Sequence, residues 1–125
     1  MATAKASPIV CVVEDDLAVR RSMIALIETL GCRVECYASA EEFLTNVVPG
    51  AGCLVIDVRL PGMSGIELLD HLAAAKVTPP TIVITGHAEV ERQSLEVWPN
   101  EICVLAKPCD PEQFLEAISK SLSVV

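Results

Sequence analysis

Four short stretches of this 125-residue chain carry side chains with chemical potential: the acidic triplet Glu14, Asp15 and Asp16, the isolated Asp57, the hydroxyl of Thr85 and the ammonium of Lys107. Carboxylates held about 4 Å apart repel by on the order of 4 kcal/mol at an effective dielectric of 20. Glu14, Asp15 and Asp57 can therefore converge in ionised form only around a cation, either Lys107 or a metal ion. Ligation by carboxylates and water suits Mg2+, which commonly bridges a carboxylate to a phosphate. Zinc or iron would ask for imidazole or thiolate. A carboxylate beside a hard cation, a lysine and a hydroxyl has the parts that phosphoryl transfer needs: a nucleophile, neutralising charge and donors for the equatorial oxygens. Asp57 is the expected nucleophile because it stands alone, whereas Asp15 sits in a triplet suited to holding metal.

These residues are far apart in the chain, and the pattern of elements between them is what must bring them together. Ile9–Val13 (IVCVV) is a short, branched, apolar run ending in the acidic triplet, which reads as a buried strand entering a polar loop. Val19, Met23, Leu26, Ile27 and Leu30 then recur at helical spacing until Gly31, a natural stop. The alternation repeats four more times. A weaker strand at Arg33–Tyr37 precedes a helix opened by Ser39 with Glu42 three places on, a capping-box pattern. An apolar strand at 53–56 delivers Asp57, after which Pro61, Gly62 and Gly65 force a loop before a helix at about 66–75. A strand at 81–84 ends in Thr85 and Gly86, before a helix at about 90–97 that Pro99 cannot continue. A strand at 102–105 is closed by Lys107 and Pro108. Asp110, Pro111 and Gln113 then open a last helix, with Phe114 and Ile118 inward.

The expectation is an α/β fold of (βα)5 type, one doubly wound parallel sheet of five strands with helices on both faces, since each crossover is right-handed. Ligands of open parallel sheets bind beyond the carboxyl ends of the strands. Asp15, Asp57, Thr85 and Lys107 all fall there.

Composition agrees with that architecture. Hydrophobic residues make up 52% of the chain and aromatics only 3%, so the core must be built from Val, Ile, Leu, Ala and Cys, as in buried parallel strands. The net charge of −8 works against direct binding of nucleic acid or anionic lipid. The opening MATAKASPIV is too short and mixed for a signal peptide, and no apolar run approaches the ~20 residues that span a bilayer. A cytoplasmic protein is expected, with a single domain over 1–125 and an ordered core of about 8–122. The six cysteines include no C-x-x-C pair and no nearby paired histidines, so they read as reduced, mostly buried small hydrophobes rather than as a disulfide or zinc framework.

In this order and at these separations, VVEDD at 12–16, DVRLPGMSGIELL at 57–69, ITGH at 84–87 and KP at 107–108 resemble the receiver domain of two-component response regulators. The likeness covers the chain from Ile9 to about Leu122. VRRSM, SAEEFL, DVRLPGMSG and TGH make it most similar to the FixJ-type branch. The resemblance implies a flavodoxin-like sheet of strand order 2-1-3-4-5. It also implies a phosphorylation switch in which a sensor histidine kinase donates a phosphoryl group to Asp57 in a Mg2+-dependent reaction, changing protein contacts on the face around 90–121. Aligning on Val19 and Arg20 makes Glu14 and Asp15 the acidic pair, with Asp16 an additional neighbour. Asp15 and Asp57 would then ligate the metal directly, Glu14 would act mostly through water, and the backbone carbonyl of Arg59 would supply a further oxygen. Lys107 would contact the phosphoryl group or Asp57, Thr85 would donate its hydroxyl after phosphorylation, and Lys107–Pro108 would be a cis peptide. A DNA-binding output domain beyond this segment and a phosphorylation-dependent dimer are further expectations of the family.

Each of these residues has a plainer reading when taken alone: an acidic cluster is usually a solvated loop, Thr85 a strand-end hydroxyl and Lys107 a surface lysine. Their joint occurrence favours the site. Arg59 and His87, two residues after Asp57 and Thr85, would border the phosphoryl group or simply be exposed. His71 reads as solvated on a helix, Trp98 as a cap on the core or an interface anchor, and Cys109 as packing where relatives often carry phenylalanine. Val104 departs from the family, where many members have the tyrosine or phenylalanine that changes rotamer on activation. Two other functions compete. Aspartyl-phosphate hydrolases on related sheets normally place a second acid two residues after the nucleophile, where this chain has Arg59. A degenerate receiver serving only as a binding module would have lost key residues, and none is lost. The expected chemistry is thus self-directed, not that of an enzyme acting on an external substrate.

Overall fold

Both faces of the strands are apolar, so the sheet must be covered twice. In the computed structural model, which describes residues 8–46, 51–77, 79–86 and 102–123, five strands pair in parallel: β1 (Ile9–Val13), β2 (Arg33–Tyr37), β3 (Cys53–Asp57), β4 (Thr81–Thr85) and β5 (Ile102–Ala106), in the order β2-β1-β3-β4-β5. The described helices are α1 (Leu17–Glu28), α2 (Ala40–Thr45), α3 (Gly65–Ala74) and α4 (Pro111–Ser123). The helix expected at about 90–97, together with His87 and Trp98, lies outside the described residues. The flavodoxin-like order 2-1-3-4-5 is the one observed.

Side chains two apart on a strand share a face, and the two cores follow that parity. Cys11, Val13, Leu54, Ile56, Val83 and Val104 pack under Phe43 of α2 and Leu68, Leu69 and Leu72 of α3. Val10, Val12, Cys53, Val55, Ile82 and Ile84 pack under Ile27 of α1 and Phe114, Ala117 and Ile118 of α4. Burying one such side chain fully is worth about 1.5–3 kcal/mol, so the central strands β1, β3 and β4 are held from both sides. Most of the cysteines share in this packing, though fewer are fully buried than expected. All six are free; Cys11, Cys32 and Cys53 are buried, Cys103 and Cys109 are partly covered and Cys36 is exposed. Burial, helped by the charge of Glu35, pushes the Cys11 thiol up to about 11. Cys53 rises to about 12, again chiefly through burial.

The helix starts are set by local side-chain bonds. Asp16 caps α1 by accepting from the Val19 amide. Ser39 Oγ accepts from the Glu42 amide at 3.0 Å, while Glu42 reaches back to the amide of Ala38, one residue short of a full capping box. The full capping box is on α3, where Ser64 and Glu67 bond each other's amides at 3.1 Å. Asp110 Oδ1 accepts from the Glu112 amide at 3.4 Å at the start of α4. Exposed His71 lies on α3, as expected.

Candidate functional site

The sheet register assembles the site. Val13 pairs with Ile56, so one step beyond the ladder Glu14 comes beside Asp57, which itself pairs with Ile84 of β4. On the other side of β4, the Lys107 amide donates to the Thr85 carbonyl at 2.9 Å. Carboxylate oxygens of Glu14, Asp15 and Asp57 consequently lie within 4.8 Å of one another. The Lys107 ammonium hydrogen-bonds Asp57 Oδ2 and stands 4.0 Å from Glu14 Oε1.

Burial makes this charge arrangement costly. Glu14 is 2% exposed and Asp57 7%, and one lysine cannot offset three carboxylates. Glu14 bears the imbalance: burial pushes its carboxyl up, the Asp16 amide opposes this, the neighbouring Asp15 and Asp57 add to the rise, and Lys107 counters it in part. Lys107 responds in the opposite sense. Its partial burial favours the neutral amine, yet the hydrogen bond and charge of Asp57, with Glu14 and Asp15 behind, outweigh that and hold the ammonium above its ordinary range. Glu14 Oε1 is buried without a hydrogen-bond partner among the described residues, a position that a native interior rarely leaves unsatisfied. A hard divalent cation fits that orphaned oxygen and the all-carboxylate donor set.

Glu14 and Asp57 are held by backbone around them. The Glu14 amide donates to the Tyr37 carbonyl at 3.0 Å, and its Oε2 accepts from the Asp16 amide at 3.3 Å. Asp57 Oδ1 accepts from the Arg59 amide at 3.0 Å. Behind Asp57, α3 approaches so closely that a Cβ on Gly65 would lie 2.5 Å from the Asp57 carbonyl oxygen; only glycine permits this approach. The turn between them passes through Gly62 at φ +75°, and Glu41 of α2 accepts from the Met63 amide at 3.1 Å.

Of the residues expected at the site, Glu14, Asp15, Asp57 and Lys107 converge. Thr85 is buried at the end of β4 beside them, and Arg59 is exposed, with its amide engaged by Asp57. The third acid, Asp16, is diverted to capping α1. The Lys107–Pro108 bond is cis. Cys109 is partly covered, and burial, then Asp110 and Cys103, push its thiol up, which suits packing better than reactivity. It borders an apolar groove of about 570 Å³ that runs from Lys107 between Val19 and Met23 of α1 and Phe114 of α4. The sequence marks Arg20 only as an anchor of the acidic register and gives no sign that its Nη1 donates to the Glu14 carbonyl at 2.7 Å, nor of the role of Glu41. Both contacts join residues outside helical spacing, so no local pattern announces them.

Five parallel strands in the order 2-1-3-4-5, with an acidic cluster and a lysine at their carboxyl edge, define the class as a flavodoxin-like α/β domain. The model of the response regulator receiver domain family matches residues 10–119, and the chain belongs to that family, part of the two-component systems. It is 37% identical over 116 residues to nodulation protein W of Bradyrhizobium diazoefficiens, covering 92% of this chain and 51% of that protein. It is 40% identical over 112 residues to the transcriptional regulatory protein FixJ of Azorhizobium caulinodans, covering 89% and 53%. Among solved structures, the response regulator StyR superposes with a TM-score of 0.85 at 37% identity, over 95% of this chain and 61% of that one. FixJ-N superposes with a TM-score of 0.81 at 32% identity, over 97% and 98%. The chain spans about half the length of the curated relatives it matches.

Proposed function

We propose that this receiver domain accepts a phosphoryl group on Asp57 from a phosphohistidine of a sensor histidine kinase, with Mg2+ held by Asp15, Asp57 and the carbonyl of Arg59, and Glu14 acting through water. The observation that carries the reading is the buried Glu14 Oε1, which has no hydrogen-bond partner among the described residues, within a cluster of three carboxylates that faces the single ammonium of Lys107. An Asp57 carboxylate oxygen attacks phosphorus, the bond from phosphorus to the donor imidazole breaks, and the imidazole departs with a proton. The magnesium ion, when bound, supplies charge neutralisation for the transferring oxygens. Lys107 stays protonated and transfers its contact from Asp57 to the phosphoryl group. Thr85 donates its hydroxyl to another phosphoryl oxygen, and Arg59, with His87, borders the site and tunes hydrolysis.

The reaction is self-directed: Asp57 is both acceptor and site of hydrolysis, and Arg59 in place of a second acid disfavours turnover of an external substrate. The setting is the cytoplasm. The output is a change of protein contact, through a DNA-binding domain joined to this one or through a phosphorylation-dependent dimer; the relatives named as transcriptional regulators support the former. Mg2+ with acetyl phosphate is expected to add one phosphoryl group, read as intact mass. Asp57→Asn is expected to abolish the gain, and an equal gain in that variant would remove Asp57 as the acceptor.

A further inference from the structure

Glu14 is restrained on three sides. Its amide is bound to the Tyr37 carbonyl, its Oε2 to the Asp16 amide, and its carbonyl to Arg20 Nη1 at 2.7 Å. The oxygen left over, Oε1, is buried, has no hydrogen-bond partner among the described residues and faces only the Lys107 ammonium at 4.0 Å. The first two restraints are ones that strand pairing and a tight turn supply from backbone amides. The third is a long side chain committed to a single carbonyl. Arg20 sits at the fourth position of α1, close to the amino end, where a basic residue works against the helix macrodipole. The stability of α1 therefore gives no reason for a cation there. The half-buried guanidinium folds back across the turn instead, closing the segment between the end of β1 and the start of α1.

We propose that Arg20 is a positioning residue for the divalent-cation site: by holding the Glu14 carbonyl it fixes the turn from which Glu14 and Asp15 project, and so sets the affinity for Mg2+. This rests on the Mg2+-dependent reading of the site given above. Electrostatics and geometry predict opposite signs for its removal. Deleting a positive charge near an acidic cluster strengthens cation binding, whereas releasing the turn weakens it. Residues that orient metal ligands from outside typically cost 10–100-fold in affinity when changed, so geometry is expected to win.

Calorimetric titration of the full chain with MgCl2 tests this on wild type, Arg20→Ala, Arg20→Lys and the exposed control Arg21→Ala. Arg20→Ala is expected to bind about tenfold more weakly, Arg20→Lys to recover part of the loss, and Arg21→Ala to bind as tightly as wild type or slightly more so. As a second readout, the Mg2+ concentration giving half-maximal phosphorylation by acetyl phosphate should rise in Arg20→Ala while the rate at saturating Mg2+ is unchanged, a split that general damage to the fold does not produce. Circular dichroism melting establishes folding. Should the alanine variant not fold, Arg20→Met, which keeps the aliphatic stem and loses the donor, carries the same comparison. A folded variant lacking the donor that binds Mg2+ as tightly as wild type, or more tightly, overturns the proposal. Absence of Mg2+ binding by the wild-type chain is a separate result, and it overturns the proposed function instead.

Discussion

Adjacent aspartates do unrelated work in the acidic turn. The carboxylate of Asp15 is exposed and joins the cluster with Glu14 and Asp57, while Asp16 Oδ1 accepts from the Val19 amide at 3.0 Å and satisfies an otherwise unpaired donor at the start of α1. Removing each should therefore be felt in a different measurement. Asp15→Ala is expected to lose most Mg2+ affinity with little change in folding. Asp16→Ala should keep Mg2+ affinity near that of wild type and cost about 1 kcal/mol of stability, the usual value of an N-cap. Calorimetry ranks the first property and urea unfolding the second. Equal losses of affinity, or a larger one for Asp16, would show that the register of acidic residues is displaced by one.

Strands and helices differ in how much of themselves they display in the sequence. β1 and β2 read to the residue, and β3, β4 and β5 each run one residue further than the apolar pattern, ending on Asp57, Thr85 and Ala106. Those ends carry polar or small side chains, so apolar content cannot mark them, although the ladder hydrogen bonds continue. Helix starts were legible where a cap stood before an apolar stripe, as with Ser39. The Ser64–Glu67 box was hidden among Pro61, Gly62 and Gly65, which signal a loop more strongly than a serine signals a helix. The core of the site was legible because it lies at strand ends. Its supports were not: Glu41 and Met63 are 22 residues apart, and only the packing of α2 beside the β3–α3 loop joins them. The closeness of α3 to β3 gives an element-scale test. At Gly65 a Cβ would meet the Asp57 carbonyl oxygen at 2.5 Å and the Val58 Cα at 3.0 Å, and neither is a flexible side chain that can step aside. Gly65→Ala is expected to destabilise by about 1–3 kcal/mol, as overpacking does, and to slow phosphoryl acceptance by shifting Asp57. Unchanged melting and an unchanged phosphorylation rate would mean that the α3 start is freer to retreat than its bonds suggest.

At the scale of the whole molecule, a doubly covered sheet leaves few of the described parts able to move if Asp57 takes up a phosphoryl group as proposed. The strands are fixed by two cores, and α4 is anchored by the buried Phe114, Ala117 and Ile118. Val104, where many family members carry an aromatic ring, is buried in the core under α2 and α3 with Leu72 and Val83. Its β-branched side chain has no ring to swing between inner and outer positions. Under the proposed function, a movement of Thr85 toward the phosphoryl group would have to be passed on by backbone, and the bond from the Lys107 amide to the Thr85 carbonyl ties β4 to the end of β5. Residues 89–99, which lie outside the described residues, are read from sequence alone as a short segment rich in polar side chains (Glu89, Glu91, Arg92, Gln93) and closed by Pro99. A segment of that composition is expected to yield to displacement more readily than α4. On addition of beryllofluoride with Mg2+ as a stable phosphoryl mimic, amide chemical shifts and hydrogen-exchange protection are expected to change more across 89–99 than across 110–121. A strong response in α4 with 89–99 silent would instead place the readout of this domain on its last helix, and Val104 would have to transmit the change by a route that needs no ring.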